Sequence, residues 1–116
     1  MGNLNLLSEL EELVLLSVAV LFDNGAYGLS IVNEIENKTG KKLSLSAIHT
    51  VLYRLQDRGL VNSELGGASN SRGGRRKRLF YISQAGKEMI ASIRNQREQY
   101  WSELGNLNLG LNLVGI

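Results

Sequence analysis

Five basic residues, Arg72, Arg75, Arg76, Lys77 and Arg78, fall within seven positions, and no acid interrupts the chain between Glu64 and Glu88. Guanidinium and ammonium groups crowded on flexible backbone suit a polyanion. Each phosphate they neutralise releases counterions, so binding is strong at low salt and falls steeply as salt rises. The formal net charge of the whole chain is only +2, so the cluster is a local field rather than a property of the molecule. An isolated basic run is more often a solvated loop or a localisation signal. The neighbouring residues therefore decide.

Upstream lies a segment, Leu45 to Arg58, in which Ile48, Val51, Leu52 and Leu55 repeat at the spacing of a helix with one buried side. Ser46, Thr50, Tyr53 and Asp57 fall on the opposite side, flanked by His49 and Arg54. Ser44 or Ser46 is the expected N-cap, and Gly59 the stop. Short residues at the helix start, Ser44, Ser46 and Ala47, allow close approach to a DNA groove. Beyond them His49, Thr50, Tyr53 and Arg54 can donate to phosphates or base edges. Asp57 is expected at the end away from phosphates. His49 is the single histidine and could change charge near neutral pH, but its ordinary role is a polar surface residue that can touch DNA.

Other chemistries find little support. With no cysteine and one histidine there is no nucleophile–base pair, no thiolate metal site and no disulfide. Gly66-Gly67 and Gly73-Gly74 match neither the Walker lysine pattern nor the dinucleotide fingerprint, and no acidic cluster has metal spacing. The chain is expected to have no catalytic residue, cofactor or metal. The longest apolar run, Leu13 to Phe22, is broken by Ser17 and too short to span a bilayer. It follows Glu9, Glu11 and Glu12 rather than the basic region of a signal peptide, so a cytoplasmic protein is expected. The Asn37-Lys38-Thr39 sequon is read as chance.

These residues need elements to position them. A first helix, Glu9 to Phe22, opens on Ser8 with Glu11 as its capping-box partner. Leu10, Leu13, Val14, Leu16, Val18, Leu21 and Phe22 cover most of its circumference, which places it between other elements. Asp23-Asn24-Gly25 turns the chain. A second helix, Tyr27 to Thr39, carries the stripe Ile31, Val32 and Ile35 and stops at Gly40, with Gly25 and Gly28 as turn and packing residues. After the third helix the period changes. Leu60 to Leu65 reads as a strand, Gly66 to Gly74 as a glycine-rich loop and Leu79 to Ile82 as the returning strand of a β-hairpin. Ser83 caps a last helix, Gln84 to about Leu104. The fold class is mainly α with a small β-hairpin: a winged helix-turn-helix plus a C-terminal dimerisation helix. Residues 1–8 form an arm, 9–83 the DNA-binding domain, 84–104 the dimerisation helix and 105–116 an uncharged tail. The tail alternates Asn with Leu and echoes Gly2-Asn3-Leu4-Asn5-Leu6. Both ends are read as frayed, with pairing as strands the alternative.

On the last helix Ile90, Ile93, Tyr100 and Leu104 follow a seven-residue rhythm, with Met89 and Trp101 adjacent. Nothing remains in the chain to cover that face, and a second copy is the simplest cover. The expected seam is Met89, Ile90, Ile93, Arg97, Tyr100, Trp101 and Leu104. Arg94 and Arg97 are otherwise read as solvated. A homodimer sets two recognition helices about one turn of DNA apart, matching a palindromic operator. Tyr100 and Trp101 could also line a pocket for a small, flat, hydrophobic effector, beside their plainer role as packing.

Three motifs in order resemble one known family. Ala26-Tyr27-Gly28 opens the second helix. Leu43-Ser44, Ile48 and Leu52-Tyr53-Arg54-Leu55 build the third, closed by Gly59-Leu60. Gly74-Arg75-Arg76-Lys77-Arg78 then runs into Leu79-Phe80-Tyr81-Ile82-Ser83, with Ala85-Gly86 after it. Together, over Leu10 to Leu104, they are similar to the PadR-like transcriptional regulators, in the short branch with one helix after the wing. The resemblance implies a third helix in the major groove, the hairpin as wing, dimerisation through the C-terminal helix and repression relieved by an effector. It implies DNA contacts from Tyr53, Arg54 and the Arg75 to Arg78 stretch. His49 stands where the family usually has tyrosine, Leu45 where proline is common, and Leu79-Phe80 in place of a tyrosine pair. The expected function is a sequence-specific, effector-responsive repressor. The alternatives are a winged-helix protein-interaction module and a ligand sensor with an aromatic pocket at the dimer seam.

Overall fold

The structure is a computed structural model and describes residues 6–66 and 76–107. Arg72 and Arg75 of the basic cluster, and most of the two ends read as frayed or paired, lie outside the described residues.

Helix α1 (Glu9–Val20) begins as its sequence dictates. The Ser8 hydroxyl accepts the Glu11 amide at 3.1 Å, and the Glu11 carboxylate accepts the Ser8 amide at 2.9 Å. Two donors that a helix start leaves unpaired are thus both used. The helix ends two residues before its apolar pattern does. The Leu21 carbonyl accepts the amides of Asn24 and Gly25, at 3.0 and 2.9 Å, and this turns the chain away. Val14, Leu15 and Val18 are buried, and Ser17 sits among them with its hydroxyl donating to the Leu13 carbonyl at 2.8 Å. Leu16, Val20 and Phe22 remain exposed, so α1 has a surface side that its near-uniform apolar composition hid.

Helices α2 (Gly28–Thr39) and α3 (Leu45–Asp57) complete a three-helix core in which Ile31, Ile35, Ile48, Leu52 and Leu55 are all buried. Of the two candidate caps, Ser44 opens α3 by accepting the Ala47 amide at 3.1 Å. Strands β1 (Val61–Leu65) and β2 (Arg78–Ile82) pair antiparallel, with Val61 opposite Ile82, Ser63 opposite Phe80 and Leu65 opposite Arg78. The Phe80 amide donates to the Ala26 carbonyl at 2.8 Å, so β2 lies between β1 and a short bridge from the loop before α2. The Phe80 side chain is buried, which ties the hairpin to the helices.

Helix α4 (Gln84–Gly105) starts from Ser83, whose hydroxyl accepts the Gly86 amide at 3.0 Å and donates to the Gly59 carbonyl at 2.7 Å. Gly86 touches the end of α3's exit turn. A Cβ there would sit 2.2 Å from the Leu60 carbonyl oxygen, a contact no side chain can make. Met89 and Ile90 pack against the same core. Beyond them α4 runs on with Tyr100 and Trp101 exposed. Among the described residues no helix is long and apolar enough to cross a membrane.

Candidate nucleic-acid interface

The polar side of α3 is where its sequence places it. Ser44, Ser46, Thr50, Tyr53, Arg54 and Asp57 are exposed, and Ala47 and His49 are half-buried. The Thr50 hydroxyl donates back to the Ser46 carbonyl at 3.0 Å, which uses its proton and leaves the oxygen to accept.

One contact joins this side directly to the hairpin. Tyr53 is 45% exposed, yet its ring meets the buried Phe80 edge-on, with centroids 6.0 Å apart. His49 lies one helical turn earlier, 6.4 Å from Tyr53 between ring centroids. His49 also fills the space above Gly28, where a Cβ would be 2.5 Å from its Nε2 and 2.7 Å from Leu45 Cδ1. The absence of a side chain at position 28 therefore lets α3 cross close over the start of α2. There Tyr27 donates its amide to Ser30 Oγ at 2.9 Å, fixing the entry to α2. The Lys77 ammonium stands 4.1 Å from the centroid of the Tyr27 ring, a cation–π contact that holds a wing cation beside the helix pair.

The other described cations of the wing are anchored at their bases. Arg76 is exposed and donates from Nε to the Gly66 carbonyl at 3.0 Å, across the mouth of the hairpin. Arg78 is half-buried and donates to Ser63 Oγ at 3.1 Å, and Ser63 in turn donates to Gln56 Oε1 of α3. Each guanidinium keeps further N–H groups beyond the one bond it makes. On the outer face of the hairpin Tyr81 donates to Glu64 at 3.2 Å. Partial desolvation, that hydrogen bond and the carboxylate's charge hold the phenol above its ordinary pKa, so it remains a donor.

The structure thus sets Lys77 over Tyr27, His49 against Gly28 and Tyr53 against Phe80, and places Arg76 just before and Arg78 at the start of the returning strand of the hairpin. Sequence reasoning missed Tyr27 and Gln56 as supports. The Ala26-Tyr27-Gly28 motif was the available signal for Tyr27. Gln56 is a helix residue like any other until the hairpin register places Ser63 beside it.

Residues expected at a dimer seam divide. Met89 and Ile90 pack on the core of their own chain, and Arg97 donates from Nη2 to Glu12 Oε1 at 2.8 Å. Arg94 pairs with Glu98 at 3.2 Å. Tyr100 is 71% and Trp101 42% exposed. A groove of about 530 Å³ lies between the α1 start and α4. Leu6, Leu7, Leu60, Met89 and Ile93 line it together with Glu12, Arg58 and Arg97, and its lining includes neither Tyr100 nor Trp101.

Comparison with known proteins gives the family and the fold. Residues 15–92 match the model of the transcriptional regulator PadR-like family. No functionally curated protein matches the chain. Among solved structures, a PadR-like transcriptional regulator from Bacillus cereus is 20% identical, with 88% of this chain and 93% of that one covered at a TM-score of 0.66. A PadR-like transcription factor from Bacteroides fragilis is 14% identical, with 84% and 87% covered at 0.67. A PadR family transcription regulator from Clostridium difficile is 18% identical, with 85% and 96% covered at 0.62. At these identities the neighbours establish the winged-helix fold. The family model covers most of the chain, from α1 into α4, and this winged-helix protein belongs to the PadR-like family of transcriptional regulators.

Proposed function

We propose that the chain is an effector-responsive repressor that binds a palindromic operator as a homodimer in the cytoplasm, without catalytic activity or cofactor. One observation carries the reading. The Tyr53 ring of α3 meets Phe80 of the hairpin, and Lys77 stands over the Tyr27 ring next to Gly28, against which His49 packs, so this contact set supports a polar side of α3 that adjoins the base of the wing. In this reading residues 9–83 are the DNA-binding unit, with α3 in the major groove and the hairpin along the phosphates. Ser44, Ser46, Ala47, His49, Thr50, Tyr53 and Arg54 position the helix and read base edges. Arg72, Arg75, Arg76, Lys77 and Arg78 supply phosphate contacts.

Dimerisation through residues 84–104 is supported by the exposed Tyr100 and Trp101 on α4. These are apolar surfaces that a second copy would cover. An effector is supported by the size and mixed lining of the groove beneath α4. Repression then follows from occupancy of a promoter.

The test is a mobility shift on the chain's own upstream DNA across a salt series. Arg76→Ala should weaken binding to all sequences about equally and lower the salt slope by roughly one unit. A changed preference at one base pair with an unchanged slope would remove the wing assignment. Failure of the unaltered chain to bind duplex DNA at low salt would remove the reading as a whole.

A further inference from the structure

We propose that Glu11 and Glu12 are positioning residues for DNA binding, adjacent carboxylates that fix the recognition helix and the C-terminal helix to one another through α1. The proposal rests on the DNA reading above. Glu11 Oε1 lies 3.7 Å from Arg58 Nη1, and Arg58 is the C-cap of α3. Glu12 Oε1 accepts Arg97 Nη2 of α4 at 2.8 Å. Neighbouring residues on a helix project about 100° apart, so one turn of α1 reaches two different elements.

The burial is asymmetric. The side chains of Glu11 and Glu12 are 12% and 18% exposed, against 32% and 62% for Arg58 and Arg97. The carboxylates are the fixed points and the arginines the arms that reach them. Glu11 is held further by the Ser8 amide, at 2.9 Å. Half-buried carboxylates with a charge-assisted partner carry more energy than exposed surface pairs. Arg97 lies three helical turns beyond Gly86, and its bond to Glu12 is the ion pair that ties α4 to another element among the described residues.

In a dimer joined through α4, the angle between α4 and α3 sets the separation of the two recognition helices. Half-site spacing follows from that separation. The two carboxylates therefore govern which spacing is accepted, whereas the base read within each half-site is governed by α3 itself.

The test uses a symmetric operator and the same operator with one base pair inserted between half-sites. Glu12→Gln should flatten the affinity ratio between the two by about fivefold, the scale of an ordinary coupling. Glu12→Arg, which opposes two guanidiniums, should flatten it further. The double variant Glu12→Arg with Arg97→Glu re-creates the pair with its charges exchanged and should restore the ratio. A reading independent of DNA comes from spin labels on Lys42→Cys and Ser102→Cys. The chain has no cysteine of its own, and dilution with unlabelled chain isolates distances within one protomer. The distance distribution should broaden in Glu12→Arg and narrow again in the exchanged pair. An unchanged distribution in Glu12→Arg, or a folded exchanged pair that restores neither readout, overturns the proposal. Distances that respond in a chain that ignores DNA would support the connector and remove only the DNA reading.

Discussion

Tyr53 shows how one side chain can belong to the core and to the surface at once. Its ring forms a T-shaped pair with buried Phe80 while the residue as a whole remains 45% exposed on α3. The two roles separate by substitution. Tyr53→Phe should leave stability to denaturant nearly unchanged and weaken operator binding by about fivefold, the loss of one hydrogen bond. Tyr53→Ala should in addition cost about 1 kcal/mol of folding stability, measured by urea unfolding, because the aromatic pair is gone. Gly28 offers a second check. Its missing side chain makes room for His49 and Leu45, both of which meet it with the far ends of their side chains. Gly28→Ala should therefore fold, at a cost of about 1 kcal/mol from crowding, and should weaken DNA binding by moving His49. Truncating one neighbour in Gly28→Ala with His49→Ala should recover part of the lost stability, the rest being the contact with Leu45. The identity and exposure of Ser46, Thr50, Tyr53 and Arg54 were legible from helical spacing alone. The seat of His49 was not, because it depends on how closely two helices cross, and a pattern within one helix carries no record of its neighbour.

Capping chemistry set most element boundaries, and it is local enough to be read directly. Ser8 with Glu11, Ser44, Ser83 and Gly40 each act where the sequence places them. What stayed hidden is which sides of an element are covered. The apolar residues of α1 cover most of its circumference, yet α2, α3 and the hairpin cover only part of it and leave Leu16 and Val20 in solvent. At this scale the junction of α4 with the winged core is the sharpest test. Gly86→Ala places a methyl group against the Leu60 carbonyl, which is backbone and cannot swing aside. It should destabilise the fold by about 2 kcal/mol or more, read as a lowered urea midpoint. Ser83→Ala removes a cap and a bond to Gly59 and should cost about 1 kcal/mol.

For the molecule as a whole, the modest net charge conceals a division of labour. Five of the thirteen cations fall in the run from Arg72 to Arg78, while the acids of α1 are engaged by Lys41, Arg58 and Arg97. Salt should therefore act chiefly on DNA affinity and only slightly on folding. The assembly predicted for α4 is checked by sedimentation. Trp101→Glu should shift a dimer to monomer and reduce affinity for a palindrome by tenfold or more, since two linked half-sites bind far more tightly than one. The close seat of Gly86 on Leu60 has a mechanical corollary. A helix held against backbone at its root and tied to α1 through Arg97 can swing only where that ion pair yields, and the root is then its fulcrum. From that fulcrum to Gly105 the helix spans about 28 Å, and a tilt of only about 5° sweeps its far end through roughly 2.5 Å. A small wedge entering beneath the helix would therefore be magnified, by leverage alone, into a displacement large enough for a second molecule to register.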